Sequence, residues 1–141
     1  MVLYDFLANP LILQHVRPDA RRICLGRHGI GKLWTQQEIN VELVRLAQQG
    51  LKIVRLKGGD PAIFARCAEE THALALHNID YEVVPGITAA MAAGSCVGVP
   101  LTHRDSASAV AFVTGSEQTG KESSSLDFQA LAKFPGTLVF Y

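Results

Sequence analysis

Short β-rich runs, each closed by glycine or proline and followed by a segment of helical periodicity, recur along this chain. That repeat constrains the fold more than any other feature, because strands joined through helices build a parallel sheet with right-handed crossovers. The clearest unit lies in the middle. Thr35 and Glu38 form a capping box, Ile39, Leu43 and Leu46 recur at helical spacing, and Gly50 stands where a C′ glycine ends a helix. Leu51 to Lys57 follows as a β-rich run. Gly58-Gly59-Asp60-Pro61 then turns the chain into a helix predicted over Pro61 to His77, with Asp60 as its N-cap.

The pattern continues on both sides. Val2 to Tyr4 reads as the tail of a strand, so the chain is expected to begin in mid-element; Asn9-Pro10 opens a short helix from Leu11 to Val16, and Arg22 to Gly26 is a short strand. Tyr81 to Val84 is predicted as a strand, Pro85-Gly86 as its turn, and Thr88 to Cys96 as an alanine-rich helix. A strand over Ala109 to Thr114, a helix over Leu126 to Lys133 and a strand over Thr137 to Tyr141 complete the series. The expected fold class is α/β, a parallel sheet of repeated βα units, with ligands gathered at the carboxyl ends of the strands. The polar stretch Thr102 to Ser108 interrupts the repeat. It sets an expected boundary between a first domain over 1–106, incomplete at its start, and the opening of a second over 107–141.

Composition narrows the function. At 141 residues, 48% hydrophobic and 18% charged, the chain is long and apolar enough for a core and excludes disorder. Its 13 basic and 13 acidic residues leave no net field to draw in nucleic acid or an anionic membrane. Cys24, Cys67 and Cys96 are widely spaced and form no CxxC pair, and His72 and His77 lie five apart, not four. Neither a disulfide scaffold nor a metal site is expected, the apolar stretches are too short for a bilayer, and a reduced, cytoplasmic protein follows.

Gly58-Gly59-Asp60-Pro61 is the foremost candidate site. Two residues without Cβ let a ligand approach the backbone, while the Asp60 carboxylate suits a sulfonium or ammonium group, or ribose hydroxyls, better than a phosphate. A purely structural turn explains the same four residues equally well. Gly115 to Glu122 matches phosphate-loop spacing through Lys121, but Glu122 stands where Ser or Thr must hold magnesium, so a solvated loop is the better reading. Asp5 is a carboxylate directly after a strand. Arg27, His28 and Lys32 share one glycine-rich loop and His103-Arg104 another; either set offers cations for substrate carboxylates or is ordinary solvated charge.

Three longer segments carry a resemblance: VRLKGGDPAIFARCAEE from Val54 to Glu70, VVPGITAAMAAGSCVGVPLTHRD from Val83 to Asp105, and AFVTGS from Ala111 to Ser116. They closely resemble the tetrapyrrole methylase family, and within it the branch that methylates uroporphyrinogen III, over essentially the whole chain. The resemblance implies transfer of two methyl groups from S-adenosyl-L-methionine to ring carbons, giving precorrin-2 and S-adenosyl-L-homocysteine. It assigns donor binding to Gly58, Gly59, Asp60, Ile63, Thr88 and Ala89 and proton acceptance to Asp5, and the carboxylates of such a substrate suit the loop cations His28, Lys32, His103 and Arg104. Arg27 matches the position where the family usually carries a lysine proton donor. An arginine stays protonated and suits a carboxylate anchor instead.

Other departures are Ala62, Ala65, Cys67 and Ala68, where the family pattern carries a Phe and several glycines. The family also implies a first strand before Met1, most of a second domain after Tyr141, and commonly a homodimer. Two alternatives remain open at the level of sequence: a non-catalytic module with partial donor or tetrapyrrole affinity, and a related methylase acting on another precorrin.

Overall fold

The structure, a computed structural model, describes residues 1–26, 34–117, 120–121 and 123–141. Two compact units divide the chain, Met1–Gly86 and Ile87–Tyr141.

The first unit is built on a three-stranded parallel sheet with β1 (Val2–Tyr4) between β2 (Arg22–Cys24) and β3 (Val54–Leu56). In register, Leu3 stands between Ile23 and Arg55. A central strand has both ladders filled, so its side chains are the ones most completely enclosed. Leu3 accordingly has 0% exposure and forms the core with Leu25, Ile39, Leu43 and Leu46. The last three lie on α1 (Gln36–Gln48), which packs its apolar stripe on the sheet. Trp34 packs against the edge of the same cluster, as expected of a residue beside the cap.

The ends of α1 match the sequence. Thr35 Oγ1 accepts from the Glu38 N–H at 3.2 Å while Glu38 Oε2 accepts from the Thr35 N–H at 2.8 Å, and Gly50 follows at φ +74°. The short helix after Asn9 forms as a 3-10 turn, Pro10–His15, with the Asn9 side chain accepting from the Leu11 N–H at 3.0 Å.

Two elements differ from expectation. No helix starts at Pro61: α2 is Cys67–Leu76, and the stretch between contains Phe64 at φ +48° and Arg66 at φ +55°. Asp60 is therefore not the helix N-cap; its Oδ1 accepts from the Ala62 N–H at 2.8 Å in a local turn, and left-handed residues then interrupt the helical path. Tyr81 to Val84 forms no strand and is exposed throughout. A β-rich run becomes a strand only beside a partner ladder, and the edges of this sheet, β2 and β3, pair with β1 alone.

In the second unit, α3 (Ala89–Val97) ends at Gly98 in the left-handed conformation, φ +71°. Strands β4 (Val110–Val113) and β5 (Thr137–Phe140) pair in parallel, joined through α4 (Phe128–Ala132), whose N-cap Asp127 accepts from the Ala130 N–H at 2.9 Å. Both units thus show the predicted parallel α/β pairing, at shorter spans than the sequence runs indicate.

The core of the first unit yields a direct test. Leu46→Ala removes a side chain with 1% exposure and is expected to cost about 3 kcal/mol in urea unfolding, against about 1 kcal/mol for loss of the cap in Thr35→Ala. Equal effects would contradict the core assignment.

Candidate functional site

The carboxyl ends of β1 and β3 lie side by side in the first unit, and the chain converges there. Asp5 extends the ladder, its N–H donating to the Leu56 carbonyl at 3.3 Å. Because side chains alternate along a strand, Leu3, Asp5, Arg55 and Lys57 share the face that α1 and α2 cover. Two carboxylates and two cations meet there. Arg55 Nη2 donates to Asp5 Oδ1 at 2.6 Å, and Arg55 Nε donates to Glu70 Oε1 at 3.1 Å. The same Glu70 oxygen accepts from Lys57 Nζ at 2.9 Å and from Gln36 Nε2 at 3.2 Å. Glu70 is 3% exposed, and a carboxylate so enclosed persists only when its charge is matched and its lone pairs are filled.

Beside this cluster lies the Gly58-Gly59-Asp60 loop. A Cβ on Gly58 would stand 2.7 Å from the Leu7 carbonyl oxygen, and one on Gly86 would overlap the Gly59 carbonyl oxygen. The loop is thus held by backbone meeting backbone, which only glycine permits. Asp60 ties it together: while Oδ1 caps its own turn, Oδ2 accepts from the Gly86 N–H at 2.9 Å. Gly59 faces solvent and Asp60 is half-buried. A carboxylate has about four lone-pair sites, so acceptor capacity remains beyond the two N–H groups.

Ile63 is half-buried in the turn that follows, and Arg66 beyond it forms a two-pronged pair with Glu69, Nε to Oε1 at 2.7 Å and Nη2 to Oε2 at 2.8 Å. Arg66 holds the Glu69 carboxyl below the usual carboxylate range, chiefly through this hydrogen-bonded fork. Arg27, His28 and Lys32 lie outside the described residues.

In the second unit, Thr88 is buried as the N-cap of α3, and its hydroxyl is hydrogen-bonded to that of Tyr141. The Tyr141 hydroxyl also accepts from the Ala90 N–H at 3.2 Å, so Tyr141 serves the helix end in place of the Thr88 side chain. Ala89 is exposed at the first helical position. His103 closes a small turn, bridged to Ala107 and accepting at Nδ1 from the Asp105 N–H at 3.2 Å, while Arg104 is exposed in that turn. An open hollow of about 550 Å³ along α3 is lined by Met91, Val99, Leu101 and Phe112 among others; among the described residues, no predicted site residue borders it. In the loop that mimics a phosphate site, Lys121 Nζ donates to Ser125 Oγ at 2.6 Å and lies 3.6 Å from Glu117. The cation is thus engaged within its own loop.

Sequence reasoning singled out Asp5 and Asp60 but missed Arg55, Lys57 and Glu70. The signal was present: cations at alternate positions of a β-rich run, Arg55 and Lys57, require an enclosed counter-charge if their face is covered.

Comparison with known proteins gives a consistent picture. The family model described as Tetrapyrrole (Corrin/Porphyrin) Methylases matches residues 1–141. A siroheme synthase of Sodalis glossinidius (strain morsitans) is 51% identical over 141 residues, 100% of this chain and 30% of that protein. An S-adenosyl-L-methionine-dependent uroporphyrinogen III methyltransferase of Methanosarcina barkeri (strain Fusaro / DSM 804) is 46% identical over 139 residues, 99% of this chain and 54% of that protein. The chain therefore spans about a third to a half of the length of these curated relatives. Among solved structures, the uroporphyrin-III C-methyl transferase of Thermus thermophilus complexed with S-adenyl homocysteine superposes with a TM-score of 0.76 at 37% identity, covering 99% of this chain and 56% of that one.

The Arg66–Glu69 pair predicts a pH effect. A carboxyl depressed by folding contributes stability above its unfolded pKa and loses it as pH falls through the folded value, so the contribution should fade on acidification. The pair is half exposed, which limits it to below about 1 kcal/mol. In an NMR titration, Arg66→Gln should return the Glu69 carboxyl upward; an unmoved titration would contradict the pairing. From matched family model and matched fold alike, the chain belongs to the tetrapyrrole (corrin/porphyrin) methylases.

Proposed function

We propose that the protein acts as a C-methyltransferase that uses S-adenosyl-L-methionine to methylate uroporphyrinogen III toward precorrin-2. The observation that carries this reading is the Gly58-Gly59-Asp60 loop at the carboxyl end of β3, where backbone is accessible and a half-buried carboxylate retains acceptor capacity. Those residues fit the donor: a cation or a ribose diol finds an acceptor at Asp60, and a Cβ-free backbone admits the approach.

When bound, the donor supplies a methyl group already activated by its sulfonium charge. In this reading Gly58, Gly59, Asp60 and Ile63 hold it, with Asp60 orienting it through its carboxylate, and Thr88 and Ala89 are donor-binding residues as the family resemblance implies. Asp5 accepts the proton that the macrocycle cation releases after methylation. Arg27, His28, Lys32, His103 and Arg104 are proposed to meet the carboxylate arms of the macrocycle, with Arg27 anchoring where the family's lysine would donate. Positioning of this kind supplies much of the rate, because neither the nucleophile nor the leaving group needs further activation. A cytoplasmic homodimer, with a domain division near residue 106 as the polar stretch 102–108 suggests, belongs to the same reading.

The test is label transfer from S-adenosyl-L-methionine to uroporphyrinogen III, with donor binding followed by calorimetry. Asp60→Ala should weaken donor binding by about tenfold or more, consistent with loss of one charged contact. Asp5→Ala should lower turnover by about 10²-fold or more while donor affinity stays. Donor binding without transfer would favour a non-catalytic module, and transfer only to another precorrin would reassign the substrate.

A further inference from the structure

The guanidinium of Arg55 is held on three sides. Nη2 donates to Asp5 Oδ1 at 2.6 Å, Nε to Glu70 Oε1 at 3.1 Å, and Nη1 to the Leu56 carbonyl at 3.0 Å. Its side chain is 12% exposed, and Glu70 is in turn fixed by Lys57 and Gln36. A planar fork anchored this way has no freedom to rotate, so whatever it binds inherits a fixed orientation. What it binds at the open end is Asp5, whose side chain is 29% exposed. Among the described residues, Asp5 Oδ2 receives no hydrogen bond.

The two oxygens of Asp5 are therefore unequal. Oδ1 is committed to a charge-assisted bond inside the fold, while Oδ2 keeps its lone pairs on a side chain that is 29% exposed at the carboxyl end of the central strand. We propose that Arg55 is a positioning residue for the proton acceptor: it clamps Asp5 through Oδ1 and so makes Oδ2 the oxygen that takes the proton released by the cation that methylation produces. In that step a C–H bond on a bridging carbon beside the methylated ring breaks, its electron pair forms the C=C bond that neutralises the ring cation, and an O–H bond forms at Oδ2. Glu70 and Lys57 act one layer further back by holding Arg55.

The inference rests on the methyltransferase reading, and its test separates the two. Arg55→Gln and Arg55→Lys are compared with the unsubstituted protein for turnover, donor affinity by calorimetry and thermal midpoint. Arg55→Gln should lower kcat by about tenfold or more with donor affinity unchanged, and added guanidinium ion should restore part of the loss, since geometry at the base contributes to rate rather than to donor binding. If Arg55→Gln does not fold, Arg55→Lys decides. It keeps the charge opposite Glu70 but not the three-sided fork, and should show the same kcat loss at unchanged donor affinity. Full turnover in a folded Arg55 variant would overturn the proposal, as would parallel loss of stability and donor affinity with no response to guanidinium. No transfer by the unsubstituted protein would instead sink the methyltransferase reading, and this inference with it.

Discussion

Everything at the functional edge of the first unit depends on a buried carboxylate having its charge matched. Among the described residues, Glu70 is the one buried residue of α2, so ion pairs to Arg55 on β3 and to Lys57 just after it seat the helix together with Leu74, which packs against the core. Enclosed pairs contribute little net stability compared with an apolar substitute, because desolvation offsets much of the attraction. Their effect is geometric. Removing either partner strands a charge, so α2 has one admissible placement against Arg55 and Lys57, and that placement also fixes Asp5.

This explains which parts of the molecule can be read directly from sequence. The α1 helix is fully local in its determinants: a capping box, an apolar stripe and a C′ glycine each act within a few residues, and all are realised. Asp60 misleads because Asp-Pro has two local uses. Its carboxylate can cap a helix or close a turn, and the choice is made by Gly86, 26 positions on, whose N–H claims the second oxygen. Tyr81 to Val84 misleads for a related reason, since strand propensity cannot announce whether a partner ladder exists.

The site shows the same division. Asp5, Gly58, Gly59 and Asp60 stand at strand ends and are visible from the βα pattern. The partnership among Asp5, Arg55, Lys57 and Glu70 is non-local and becomes visible only when β1 and β3 are placed in register. Tyr141 is comparable in the second unit. Its hydroxyl serves the first turn of α3, although nothing in the TLVFY run distinguishes it from an ordinary strand-end aromatic.

The surroundings of the two strand-end carboxylates assign them different chemistry. Asp60 is held by the neutral N–H groups of Ala62 and Gly86, so its negative charge is not cancelled locally and remains available to a cation. Asp5 faces a guanidinium at 2.6 Å, in a cluster whose two carboxylates and two cations sum to no net charge. In the proposed reading a sulfonium approaching these strand ends is thus drawn to Asp60 rather than Asp5. In the proposed reading that separation gives Asp5 the part of an oriented proton acceptor, and it arises because one carboxylate meets backbone dipoles where the other meets a fixed cation.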